Sequence, residues 1–489
     1  MRDSHCSRAG DATIQAVEHL DVVIVGAGLS GIGAAHHLQD RLPGLSYAIL
    51  EGREAIGGTW DLFRYPGVRS DSDMQTLGYR FKPWTDEKAL ADGPSILEYV
   101  RETARDAGID QYVRFGHQVR GAAWADGRWT LDIDGREPLS CSFLYVCGGY
   151  YRYDQAYRPA FDDAEAFTGE IIHPQFWPED FDYTGKRVVV IGSGATAVTI
   201  VPAMTDKAAH VTMLQRSPTY ILSLPSEDKL GNALRRWLGN RRGYQVTRWK
   251  NVAVSTLVYQ LSQRFPKLMR RLIRKGVLAQ VPAGYPVDTH FNPTYGPWDQ
   301  RLCLVPDGDL FRAISRDNAS IVTDRVERFT PHGVQLASGA HLDADVIITA
   351  TGLNLQAFGG LALTVDGEPV HLPDHLAYKG MMLSDVPNFV FTIGYTNASW
   401  TLKADLVAEF TCRILAHMGQ HGYTTVVPHD AQGVERGPLL DFEAGYVQRS
   451  LHLFPQAGAE APWRLGMSYA QDVVTLRHGK LDDGALRFS

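Results

Sequence analysis

Along this chain, short runs of consecutive apolar and largely β-branched residues end at glycine-rich turns, after which apolar positions recur three and four apart. In the first such passage Asp21-Val22-Val23-Ile24-Val25 runs into Gly26-Ala27-Gly28-Leu29-Ser30-Gly31 and continues as Ile32, Ala35 and Leu38. The pattern predicts strand, tight turn and helix. It returns after Lys186, where Val188 to Ile191 precede Gly192-Ser193-Gly194-Ala195-Thr196-Ala197 and then Val198, Val201 and Met204. Two further apolar runs end in small residues: Phe143 to Val146 before Gly148-Gly149, and Val346 to Thr349 before Ala350-Thr351-Gly352. Strands alternating with helices imply parallel sheets. The fold class expected is α/β, with two Rossmann-like dinucleotide-binding domains and a small helical insertion.

The second unit interrupts the first. One domain is expected over 1–153, with 1–19 as a mobile extension, resuming at 353–489; the other covers 154–228 and 286–352. The insertion, 229–285, carries Leu230, Leu234, Trp237, Leu238, Leu261, Leu268 and Leu272 at helical spacing. Charge sets it apart. The chain has 48 Lys and Arg against 55 Asp and Glu, yet Lys229 to Lys275 hold thirteen cations and no acid, so the remainder stands at 35 against 55.

Composition removes several classes. With 44% hydrophobic and 21% charged residues the chain is not globally disordered. No run approaches the ~18 apolar residues of a spanning helix. The first nineteen residues lack the apolar centre of a secretory signal, so a cytoplasmic location is expected. Five cysteines without a CxxC pair argue against a disulfide framework, a thiol redox centre and a cysteine-rich metal site. No HxxxH, paired-carboxylate or GxSxG pattern calls for a metal or a serine nucleophile.

In the first turn Gly26 permits the sharp bend, Gly28 lets a pyrophosphate approach the backbone, and Gly31 lets helix and strand pack closely. Glu51 ends the next strand, Tyr47 to Leu50, where a carboxylate can accept hydrogen bonds from ribose hydroxyls. In the second turn Gly192, Gly194 and Ala197 make GxGxxA. No acid lies between Lys207 and Ser226, and Arg216-Ser217 follows the strand His210 to Leu214, offering a cation where a 2′-phosphate would sit. One FAD-like and one NADPH-like site imply a flavoprotein oxidoreductase.

Two stretches sharpen the class. GGTWDLFRYPGVRSD, 57–71, matches [AG]GxWxxxx[FY]PGxxxD, and FTGEIIHPQFWP, 167–178, matches FxGxxxHxxxWP. The chain resembles class B flavoprotein monooxygenases, specifically type I Baeyer–Villiger monooxygenases. The runs HPQFWPEDFDYTGK and GYTNASWTLKADL resemble the branch of ethionamide-activating monooxygenases.

The resemblance implies FAD and NADPH as cofactors, with Thr59, Trp60 and Thr196 in the two nucleotide sites. It implies Asp71 near the flavin and Arg301 as the active-site cation, which would stabilise the anionic C4a-peroxyflavin and its ketone adduct while Asp71 orients it. Asp299 beside Arg301 leaves a surface salt bridge as the other reading. His173 is implied to couple the domains, and Trp60 reads equally as core packing. Asn397 and Trp400, after the strand Phe389 to Ile393, are placed either at the substrate cavity or in the core. Pro174 and Gln300 depart from the usual Thr or Ser and Lys. The function implied is oxygenation of apolar ketones to esters or lactones and of thioethers with O₂; the alternative is an N- or S-oxygenating enzyme without Baeyer–Villiger activity. Neither nucleic acid nor an obligate protein partner is expected, whereas the basic insertion raises peripheral contact with anionic membrane.

Overall fold

The computed structural model describes residues 17–300, 302–429, 433–440 and 442–489. Both predicted turns sit where a parallel strand ends. The strand His19–Val25 lies between Tyr47–Leu50 and Leu139–Val146, with Val22 opposite Tyr47 on one side and Phe143 on the other. Phe389–Phe391 joins the far side of Leu139–Val146 in parallel. Antiparallel strands extend this nine-stranded sheet away from the turn. The second sheet has five strands in the order Ala319–Thr323, His210–Gln215, Arg187–Ile191, Val346–Thr349 and Glu170–Ile172, and its pairings are parallel. Val188, Val189 and Val190 are at most 1% exposed, as strands covered on both faces require.

Helix Leu29–Arg41 packs against Trp400–His421, whose buried side includes Lys403, Asp405 and Glu409 among its apolar residues. These buried charges are paired, which offsets their desolvation. Glu409 meets Arg80 and Arg477 at 2.6 Å, and Asp405 meets His37 at 3.3 Å and Arg248 at 3.5 Å.

The insertion forms three helices, Lys229–Leu238, Asn240–Arg264 and Pro266–Leu278. Their facing departs from what the leucine spacing suggests. Leu230 and Trp237 are 58% and 81% exposed, while Arg235 is buried. The reason is local. Arg235 donates to the carbonyls of Trp84 and Asp86, and Arg248 to those of Gln75, Thr76 and Gly78, so the guanidinium groups serve as partners for the end of the short helix Met74–Leu77 and for the irregular backbone that follows it to 86.

Candidate functional site

In the first turn Gly26 adopts φ +103°, and a Cβ there would stand 2.8 Å from the Cys147 carbonyl oxygen. Space is tighter still at Gly31, where a Cβ would fall 1.8 Å from the Gly26 oxygen. Gly31 is thus a packing residue and does not form part of the cavity wall. Glu51 is buried and accepts the N–H groups of Ala27 at 2.8 Å and Arg53 at 2.9 Å. Burial pushes its carboxyl pKa up, and those two N–H donors pull it back. Two donors leave lone pairs for a ribose diol. Arg53 pairs with buried Asp61 at 2.6 Å, and its Nη1 is buried without a hydrogen-bond partner among the described residues. The Thr59 hydroxyl lies 3.1 Å from that of Tyr153.

The second turn is more open. Gly192, at φ +145°, lies against the Ala350 carbonyl, whereas a Cβ on Gly194 would meet nothing within 4 Å. Ala197 is fully buried on the helix Ala195–Met204 behind the turn. Arg216 and Ser217 are exposed at the end of the strand His210–Gln215, where the Ser193 hydroxyl donates to the Ser217 carbonyl at 3.2 Å. Sequence reading finds no acid near Arg216, but the parallel neighbour strand supplies one. The Asp324 N–H donates to the Gln215 carbonyl at 2.9 Å, bringing Asp324 and Arg325 to the same rim. The Asp324 carboxyl pKa is held low by hydrogen bonds from Ser338 and from the Arg325 N–H. These residues were missed because 108 positions separate Arg216 from Asp324; only the pairing of Gln215 with Thr323 joins them.

Both turns open into one cavity of about 1230 Å³. Gly26, Gly28 and Glu51 line one end, and Gly192, Gly194, Thr196, Arg216 and Ser217 the other. Thr59, Trp60, Asp71, Gln300, Asn397 and Trp400 also line it. Trp60 packs at the same time against the core of the first sheet, so both readings of it apply. Trp400 lines the cavity and donates its indole N–H to Ser30 Oγ at 2.7 Å. Asn397 donates to the Met467 carbonyl at 2.9 Å, and its Oδ1 is buried with no partner among the described residues. Arg301 lies outside the described residues. Asp299, the salt-bridge alternative for it, accepts the Gly296 N–H at 2.7 Å and closes a local turn.

His173 stands away from the cavity wall. Its Nδ1 accepts the Gln175 N–H at 3.2 Å, and Nε2 donates to the Gly352 carbonyl at 3.3 Å. Burial pushes the imidazole pKa down, so the ring is held neutral with both nitrogens used. Gln175 continues the tie by donating to the carbonyls of Arg152 and Tyr153. His173 therefore staples together chain segments that pass between the two sheets. Pro174 fits the first position of the turn Pro174–Phe176, where a missing N–H costs nothing.

Sequence reading also missed two further features. Trp298, at φ +76°, lines the cavity and buries its indole N–H without a partner among the described residues. Tyr395, another wall residue, donates to Asp472 at 2.6 Å, and Asp472 accepts from buried Lys403 at 2.8 Å. Burial pushes the Tyr395 hydroxyl pKa far up, and Asp472 adds to this. A lysine on the largely apolar buried side of the helix Trp400–His421, one turn from Val407, is the signal that could have pointed to this network.

Orphaned donors and an acceptor in one cavity, between two glycine turns that each open a helix, fit two dinucleotides and a small substrate. The fold and cavity are those of an α/β oxidoreductase with two dinucleotide sites. Comparison with known proteins narrows this. Residues 20–265 match the flavin-binding monooxygenase-like family. The FAD-containing monooxygenase EthA of Mycobacterium tuberculosis is 57% identical over 96% of this chain and 98% of its own length. EthA of Mycolicibacterium smegmatis is 53% identical over 96% and 97%. Among solved structures, oxidized steroid monooxygenase bound to NADP superposes with a TM-score of 0.77 at 23% identity, covering 96% of this chain and 99% of that one. The chain belongs to the flavin-binding monooxygenase-like family, and it is a flavoprotein monooxygenase.

Proposed function

We propose that this enzyme is a Baeyer–Villiger monooxygenase with FAD and NADPH as cofactors, converting apolar ketones to esters or lactones and also oxygenating sulfur in thioethers. The observation that carries the reading is the single cavity joining both glycine turns, with Asp71 of the first fingerprint in its wall. The FAD-containing relatives and the NADP-bound steroid monooxygenase support the choice of cofactors. Bound FAD, reduced by NADPH, would supply activated oxygen. Glu51 would hold the flavin ribose, with the free Nη1 of Arg53 beside it, while Arg216 and Arg325 would take the 2′-phosphate of NADPH.

Arg301 would stabilise the negative charge that develops on the ketone oxygen, and Asp71 would keep its guanidinium oriented. Trp298 and Asn397 provide a donor and an acceptor for a polar substrate group in a wall that also carries Tyr395 and Trp400. The test is Arg301→Ala. Its flavin should still be bound and reduced by NADPH, because hydride transfer develops no such anion, yet ketone oxygenation should be lost. Stopped-flow reduction and mass detection of products from linear ketones, cyclic ketones and thioethers decide it. Normal ester formation by the variant overturns the role of Arg301, and sulfoxides without any ester from the unmodified enzyme overturn the Baeyer–Villiger reading.

A further inference from the structure

Eleven of the nineteen large hydrophobic side chains that the described residues leave exposed lie between Leu230 and Leu278, a tenth of the chain. They follow the helix faces. On Asn240–Arg264, Val246, Trp249, Leu257 and Leu261 recur at three- to eight-residue steps on one side, 37–57% exposed. The stripe continues across the helix junction through Phe265 to Leu268 and Leu272, 48–53% exposed, on Pro266–Leu278.

Cations flank the stripe. The thirteen divide into two groups by what they touch. Arg235, Arg248 and Arg270 are spent on backbone carbonyls, while Arg236, Lys250 and Arg274 pair with Glu87, Asp228 and Asp288. Lys229, Arg241, Arg242, Arg264, Lys267, Arg271 and Lys275 are exposed without an ion-pair partner among the described residues. Arg270, which the sequence alone would assign to a charged outer surface, thus belongs to the inner attachment, and Arg274 is neutralised by Asp288 at 2.7 Å.

We propose that this outer face docks on an anionic membrane surface. Apolar side chains ringed by unpaired cations, on helices lying flat against the protein, fit a headgroup layer that takes apolar groups below and anions around them. No helix among the described residues is long and apolar enough to cross a membrane, so the contact is peripheral. A second copy is the poorer occupant, because a twofold contact would set one basic face against its identical twin. The inner side of the same helices meets the cavity: Tyr259 packs against Trp298 with ring centroids 5.8 Å apart, and Arg270 holds the carbonyl of Tyr295, another wall residue. Docking would set this wall beside a reservoir of apolar molecules. The docking itself does not depend on which reaction the cavity performs.

The experiment is co-sedimentation of the full-length flavin-loaded protein with vesicles of phosphatidylcholine, alone or with added phosphatidylglycerol, at low and high salt. Binding to the anionic vesicles only, reversed by salt, is expected. Arg241→Gln/Arg242→Gln/Arg271→Gln/Lys275→Gln should weaken it by roughly fivefold per cation removed. Leu268→Ser/Leu272→Ser should weaken it at low salt, where the charges are intact. All six positions are exposed, so unchanged melting temperatures are expected. Failure of the unmodified protein to pellet with anionic vesicles at low salt overturns the proposal, as does binding undiminished in both variants. Sedimentation velocity that shows a dimer dissolved by Leu268→Ser/Leu272→Ser, with no vesicle binding, makes the face a contact between copies and also overturns it.

Discussion

The two glycine turns are built on the same local plan yet differ in their surroundings. The first is enclosed: Gly31 has no room for a methyl group, Glu51 is fixed by two backbone N–H groups, and Arg53 and Arg101 are tied to buried Asp61. The second is open at Gly194, and its cation, Arg216, is exposed at the rim. An enclosed and prepaid set of contacts suits a cofactor that stays, and an exposed rim suits one that binds and leaves each turnover. A shared motif therefore fixes what kind of group binds, and the neighbourhood decides how long it stays.

The largest expected effect comes from putting a methyl group into each turn. Gly31→Ala must displace backbone and should cost about 3 kcal/mol or more, giving protein that melts early and carries little flavin by visible absorbance. Gly194→Ala should fold and hold flavin normally while losing affinity for NADPH. Equal flavin loss in both variants would erase the contrast. Next is Arg216→Ala, which would remove the charge-assisted phosphate contact proposed for this residue, worth about 1.5–3 kcal/mol. Steady-state kinetics should show KM for NADPH raised about tenfold or more and KM for NADH nearly unchanged, and a parallel rise for both cofactors would break the assignment.

A smaller effect concerns the joint between the halves. His173 has a folded-state pKa below its ordinary value because burial disfavours the charged ring. Below the unfolded value of about 6.5 the unfolded chain binds more protons, so stability is fully present above that pH and falls as pH drops through the folded value. Burial likewise lowers His36 and His290. The melting temperature should thus decline on acidification below about pH 6.5, and His173→Gln should flatten part of the decline. A variant with the unmodified pH profile would remove His173 as a contributor. The smallest effect is expected from Asp324→Asn at the open rim. Removing this charge beside Arg216 should lower KM for NADPH by no more than about fivefold and leave flavin content unchanged, and a rise in KM would show that Asp324 assists the ligand.

The parts legible from residues alone are those written within ten or so consecutive positions. Val22 to Gly31 and Val188 to Ala197 specify strand, turn and helix because β-branched runs, positive-φ glycines and helical spacing act on their own neighbours. The same holds for the fingerprints, each one continuous stretch, and for the chain order of the strands that surround them.

Only the tertiary structure decided what each face meets. Helical spacing in the insertion identified Leu230 and Trp237 as sharing a side, but the direction of that side was set by carbonyls at 75–86 that needed Arg235 and Arg248 as partners. Asp324 reached the rim that carries Arg216 through strand pairing, and Asp472 came to accept from both Lys403 and Tyr395 through the packing of distant segments. The physical reason is common to all three. Local periodicity reports which positions lie together, whereas the stability of a buried charge or an outward leucine depends on groups brought near only when the chain closes on itself.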